Sequence, residues 1–182
     1  MSQSRTIHSL VVVAVLLVTA CAKPARYSFM HERHREVYSI QSAELENLQF
    51  YMSTRVLVKD VTTREISQEA ASVILVPEGT PGLVNEVGPN WLRVSFEEGG
   101  SGVYFLADVT SQRDDAYWLA TKVKGLDGLH KLKDLEKKIL LVEGTPYDVI
   151  YGAEARLMVS AKDLWKVVES RRHIKGREKK SD

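Results

Sequence analysis

The sequence predicts a mainly β protein, a small antiparallel barrel or sandwich with one or two short helices, and three observations predict it. Short runs rich in Val, Ile, Leu and aromatic residues recur at close intervals, turn signals separate them, and a strand–turn–strand pattern returns at an offset of 65 residues. The 182 residues are 44% apolar and 8% aromatic with only 5 prolines, which suffices for the core of one domain or of two very small ones. Charge nearly balances at 25 basic against 24 acidic residues, so an electrostatically driven nucleic-acid binder is disfavoured. One Cys excludes an intramolecular disulfide framework and any Cys-rich zinc or iron–sulfur site, and the composition implies no cofactor.

Residues 1–20 stand outside the expected fold. Arg5 lies in a short polar lead, an unbroken apolar run fills residues 10–18, and the small Thr19 and Ala20 precede Cys21. A bilayer-spanning helix needs ~20 apolar residues, so so short a run reads as the apolar part of a secretion signal that is removed. Its removal takes away Arg5 and no acidic residue, leaving 24 basic against 24 acidic side chains.

Leu17-Val18-Thr19-Ala20-Cys21 resembles the lipobox of bacterial lipoproteins, with Val18 where that pattern usually has Leu. The resemblance implies cleavage before Cys21, diacylation of its thiol and acylation of the new N-terminus. Cys21 is then a membrane anchor and not a nucleophile, and several acyl chains hold stably where one binds only marginally. Enterobacterial lipoproteins retained in the inner membrane carry Asp after the Cys, whereas this chain has Ala22. By that analogy the outer membrane is implied, with the domain facing the periplasm. The whole chain is also similar to small bacterial lipoproteins whose biochemical role is not established.

Residues 21–41 form the lipidated Cys and a tether. They hold Pro24 and many charges without sustained apolar periodicity. At ~3.3 Å per extended residue such a tether reaches some tens of ångströms from the bilayer. Inside it, His31 and His34 stand at i and i+3, not at the i and i+4 of a helix-borne zinc motif, so residues 30–34 read as a solvated charge run.

The β-rich domain is expected over residues 42–170. Ser42-Ala43-Glu44-Leu45-Glu46 has the form of a helix start, which predicts a short helix over residues 42–49 leading into Phe50-Tyr51-Met52. Strands are then expected over residues 55–59, 72–76, 83–87, 91–96 and 102–106, with turns at Gly88-Pro89-Asn90 and Glu97-Glu98-Gly99-Gly100. Close spacing and tight turns favour antiparallel meanders. Residues 115–120 suit another strand. Leu129, Leu132, Leu135 and Ile139 fall three or four apart, which predicts a short helix over residues 129–137. Leu164-Trp165-Lys166-Val167-Val168 suits a strand or a helix. Residues 171–182 form a basic tail in which six Lys and Arg oppose Glu178 and Asp182.

The repeat is the most informative internal feature. Ile74-Leu75-Val76-Pro77-Glu78-Gly79-Thr80-Pro81 aligns without gaps on Ile139-Leu140-Leu141-Val142-Glu143-Gly144-Thr145-Pro146, and the same offset matches Val84 to Val149, Leu92 to Leu157 and Val94 to Val159. Either two hairpins have converged on good turn chemistry or a three-stranded unit is duplicated. Two copies are too few for a solenoid. Residues 72–108, through Glu78-Gly79-Thr80-Pro81-Gly82-Leu83-Val84 and Gly88-Pro89-Asn90-Trp91-Leu92-Arg93-Val94-Ser95-Phe96, resemble bacterial SH3-like modules. That resemblance covers a minority of the chain and brings no active site with it.

Chemistry-bearing patterns are sparse. Ser101 in Gly99-Gly100-Ser101-Gly102 reads as a turn and not a nucleophile elbow, and His130 and His173 stand near no candidate nucleophile in the sequence. Glu78 and Glu143 are equivalent in the repeat and read as turn residues. Trp91, Tyr104, Trp118, Tyr147 and Tyr151 fall at strand spacing; sharing one exposed face, they would form a stacking platform for glycan or peptide. The expected function is thus a lipid-anchored, non-catalytic binding or scaffold component of the envelope, with an envelope-protein or cell-wall partner and no nucleic acid. The alternatives are a peptidoglycan- or peptide-binding SH3-like module and an envelope hydrolase.

Overall fold

The computed structural model describes residues 26–61, 73–111 and 114–171, and its chain forms two antiparallel sheets. Eight strands make the larger: β1 (Tyr27–Phe29), β12 (Leu157–Ser160), β2 (Gln49–Met52), β5 (Pro81–Val87), β6 (Trp91–Ser95), β7 (Val103–Leu106), β8 (Trp118–Lys122) and β9 (Leu129–Lys131), in that spatial order. Four make the smaller: β10 (Ile139–Val142), β11 (Thr145–Tyr151), β3 (Val56–Asp60) and β4 (Val73–Val76). Of the expected meander, the strands β5 to β7 are present as consecutive antiparallel neighbours, and β8 and β9 extend them, while β3 and β4 belong to the smaller sheet. Leu92, Val94, Phe105 and Leu119 of the larger sheet share one core with Val56, Val58, Leu140 and Val149 of the smaller. The alternation of buried and half-exposed residues along β6, one in two, is what a sheet with one face in a core requires.

The arrangement is mainly β and sandwich-like, and neither sheet closes into a barrel. The larger sheet nevertheless curls far enough that the start of β8 meets the residues ahead of β12. Leu119 N–H donates to Ala155 O at 2.8 Å, Leu157 N–H to Tyr117 O at 3.0 Å, and Trp118 and Arg156 form an isolated antiparallel bridge.

Three expectations are corrected. From Arg26 onward the supposed tether belongs to the fold: β1 pairs with β12, Met30 is fully buried, and α1 (Glu32–Val37) follows. Its charges misled because Glu32, Arg35 and His31 are paired in or near the interior, while Arg26, Arg33 and Glu36 stay exposed. The helix expected over residues 129–137 is instead β9 and a single 3-10 turn, Leu132–Asp134. Spacing of three satisfies a 3-10 turn as well as an α-helix, and the backbone of β9 is already committed to β8. The helix at residues 42–49 is real but shorter, α2 (Ser42–Glu46), with Gln41 as its N-cap and its backbone N–H bonded to the Glu44 carboxylate at 2.8 Å. The open choice at residues 164–168 resolves as α3 (Ala161–Arg171).

The repeat places strands at matching positions in both copies, yet the copies pair differently. Val142 and Thr145 close a two-residue hairpin between β10 and β11, with positive φ at both Glu143 (52°) and Gly144 (82°), the turn whose twist suits a hairpin. In the first copy Pro77 stands where Val142 does and has no N–H to complete such a closing pair. Only Gly79 turns to positive φ there, so the chain leaves β4 in the smaller sheet and enters β5 in the larger. Neither copy is a three-stranded sheet of its own.

Candidate functional site

Three features gather functional side chains. The first lies where α1 meets residues 115–117. Backbone pairing sets the geometry: Glu32 N–H donates to Asp115 O at 2.9 Å and Tyr117 N–H to Met30 O at 3.1 Å. The fully buried Tyr117 hydroxyl donates to the buried Glu32 carboxylate, and Arg35 Nη1 reaches that hydroxyl at 2.8 Å and Glu32 at 3.2 Å. The same guanidinium donates to the carbonyls of Gly88 and Pro89, both at 3.2 Å, tying α1 to the β5–β6 turn. Burial, reinforced by the Glu32 carboxylate, pushes the Tyr117 phenol far above its ordinary range, so it remains a protonated donor.

Beside this triad, Asp115 accepts from His31 Nδ1 at 2.8 Å and from the Arg33 N–H at 3.1 Å, with Arg33 Nε at 3.4 Å. Burial raises the Asp115 carboxyl, but the Arg33 amide and the His31 ring outweigh it and hold the group below the usual carboxylate range. His34, whose Nδ1 accepts from the His31 N–H at 3.3 Å, is lowered as well, first by burial and then by His31 and Arg33 against the opposing Asp115, and so favours its neutral form. This is a clasp of paired charges that fastens the incoming chain to the sheet. Among the described residues no three His, Cys, Asp or Glu side chains group as a metal site.

The second feature is the outer face of the larger sheet. The strand registers Trp91↔Leu106 and Leu106↔Trp118 put Trp91, Tyr104 and Trp118 on one face. Trp91 and Tyr104 meet edge to face at 5.4 Å; Arg93 and Lys122 lie over the Tyr104 ring at 5.4 and 5.5 Å. Trp118 is flanked by Lys133 at 3.5 Å and Arg156 at 4.6 Å, and Arg156 also covers Phe29. Such cation–ring contacts contribute about 0.5–2 kcal/mol each. Of the five aromatics considered for one exposed face, Trp91, Tyr104 and Trp118 lie on one face of the sheet, each half-buried. Tyr147 and Tyr151 do not: both lie on β11 in the smaller sheet.

The third feature is the smaller sheet itself. Its inner side, with Val94, Val103 and Leu119 opposite, bounds an apolar cavity of ≈ 270 Å³ that Tyr147 lines and Glu143 and Ser101 border. Its outer side leaves Leu75 (55%) and Tyr151 (45%) exposed, both register partners of Leu57, with Arg55 4.8 Å from the Tyr151 ring centre. Cys21, the signal segment and the basic tail beyond residue 171 lie outside the described residues. Sequence reading missed the clasp because Glu32 and Tyr117 are 85 residues apart; the only local sign was His34 three residues after His31, the spacing of a capping box. Comparison of the chain with protein-family models, with curated proteins and with solved structures finds no significant match.

Proposed function

We propose that this chain is a lipid-anchored envelope protein whose β domain binds or scaffolds a partner without catalysis. The observation that carries the reading is the place of the chain's one Cys, directly after an apolar run of signal length and the small residues Thr19 and Ala20. Acyl groups on Cys21 confine the domain to a membrane, the outer membrane facing the periplasm by the Ala22 analogy. Two surfaces support a binding role: the exposed Leu75–Tyr151 side of the smaller sheet, and the half-buried Trp91–Tyr104–Trp118 face of the larger. Replacing Cys21 by Ser, in a chain also lacking residues 172–182, is expected to move the protein from the membrane fraction to the soluble one. Retention of that variant in the membrane fraction would falsify the anchor assignment.

A second reading has an observation of its own. The row of Trp91, Tyr104 and Trp118 interleaved with Arg93, Lys122 and Arg156 offers rings for sugar stacking and cations for acidic stem peptides, as a cell-wall-binding SH3-like module would. Co-sedimentation with purified sacculi, reduced by Trp91→Ala, is its expected signature. Equal sedimentation of the variant and the parent removes it.

A further inference from the structure

The chain enters the fold almost at its anchor. Arg26 is the first described residue, and its carbonyl accepts from the Ala161 N–H at 3.0 Å at the start of α3. Only residues 22–25 separate it from Cys21. Even fully extended, five residue steps span at most ~18 Å, less than the breadth of ~35 Å expected of a domain this size. A domain held by acyl groups on Cys21 therefore cannot hang free of the bilayer. The surface around Arg26 is thus held within ~18 Å of it.

That surface has the composition of a membrane interface. Tyr27 and Tyr51 pack together at 4.6 Å, Tyr38 sits 6.4 Å from Trp165, and Val37 beside Tyr38 is among the most exposed apolar side chains described. Trp165 itself is 53% exposed on α3, although its neighbour Leu164 is buried. Trp and Tyr favour the headgroup level because an apolar ring and a polar edge match the two sides of that layer. Lys162 and Lys166 flank Trp165 on α3, Lys166 is paired with Asp163 at 2.8 Å, Glu169 follows one turn on, and the sequence after residue 171 adds five Lys and Arg against two acids. Basic residues near an anionic leaflet are drawn to its negative surface potential.

We infer that the face formed by Arg26, Tyr27 and α3 is a membrane-docking surface, with Trp165 seated in the headgroup layer of an anionic bilayer. The inference rests on the anchor reading above and adds an orientation to it. The test uses the full, acylated protein in vesicles of phosphatidylethanolamine and phosphatidylglycerol, some with chains brominated near the headgroup. Tryptophan fluorescence is expected to be quenched by the brominated lipid, to lose most of that quenching in Trp165→Phe, and to retain it in Trp91→Phe. Raising salt should weaken the quenching while the protein stays vesicle-bound through its acyl chains. Acylated protein whose quenching survives Trp165→Phe, or shows none at all, overturns the docking surface and leaves the anchor standing. Protein recovered from its host without acyl groups overturns both.

Discussion

Tyr117 shows how much of this fold depends on single polar atoms. Its hydroxyl is held between the Glu32 carboxylate and the Arg35 guanidinium, all in the interior or close to it. Tyr117→Phe keeps the ring and removes that link, leaving a buried carboxylate short of a partner. The expected loss is about 1–3 kcal/mol, seen as a lower urea midpoint at unchanged slope. His34 gives a second expectation, with a sign that follows from proton counting. Burial, His31 and Arg33 lower its affinity for the proton in the folded state, and Asp115 opposes them. Below the unfolded-state value of ~6.5 the unfolded chain binds more protons, so stability is fully present above that pH and falls as pH drops toward the folded-state value. Urea titrations from pH 7.5 downward should record that decline, and His34→Gln should flatten it. An equal decline in the variant would assign the effect elsewhere. At this scale little was legible in the sequence. His31-Glu32-Arg33-His34 has the polarity of a solvent-facing segment, and what buries it is a partner more than eighty residues away.

Elements were legible where local chemistry decides them. Strands at residues 56–60, 81–87, 91–95 and 103–106 follow from alternation and from the turns between them. Pairing was less legible, because identical turn sequences serve two purposes: Pro77 sends one copy of Glu-Gly-Thr-Pro across to another sheet, and Val142 lets the other close a hairpin. Glycines carry the junctions between the sheets. Gly152, at φ 89°, turns the chain out of β11 so tightly that a Cβ would stand 2.3 Å from the Arg55 carbonyl. Gly79, at φ 75°, has open space around it. Gly79→Ala is expected to lose about 1 kcal/mol from backbone conformation alone. Gly152→Ala adds a backbone clash of about 1–3 kcal/mol to the same strain. Thermal unfolding of the two variants checks this ordering, and equal midpoints would refute it.

For the whole molecule, the sequence foretold a mainly β domain but not whether it is a sandwich or a barrel. That distinction is made by contacts such as Leu119 to Ala155 and by the assignment of β3, β4, β10 and β11 to a separate sheet, neither of which has a local sequence signal. The start of the domain was set too late, since β1 and α1 precede residue 42. The earlier start leaves only residues 22–25 between Cys21 and the first described residue, and on the proposed anchor reading the domain would stay close to its membrane. Everything in this picture depends on the chemical state of a single side chain. Mass spectrometry of the protein purified from membranes of its natural host measures that state directly. The account predicts a chain that begins at Cys21 and carries diacylglyceryl and N-acyl groups there, and a chain retaining residues 1–20, or an unmodified thiol at position 21, would contradict it.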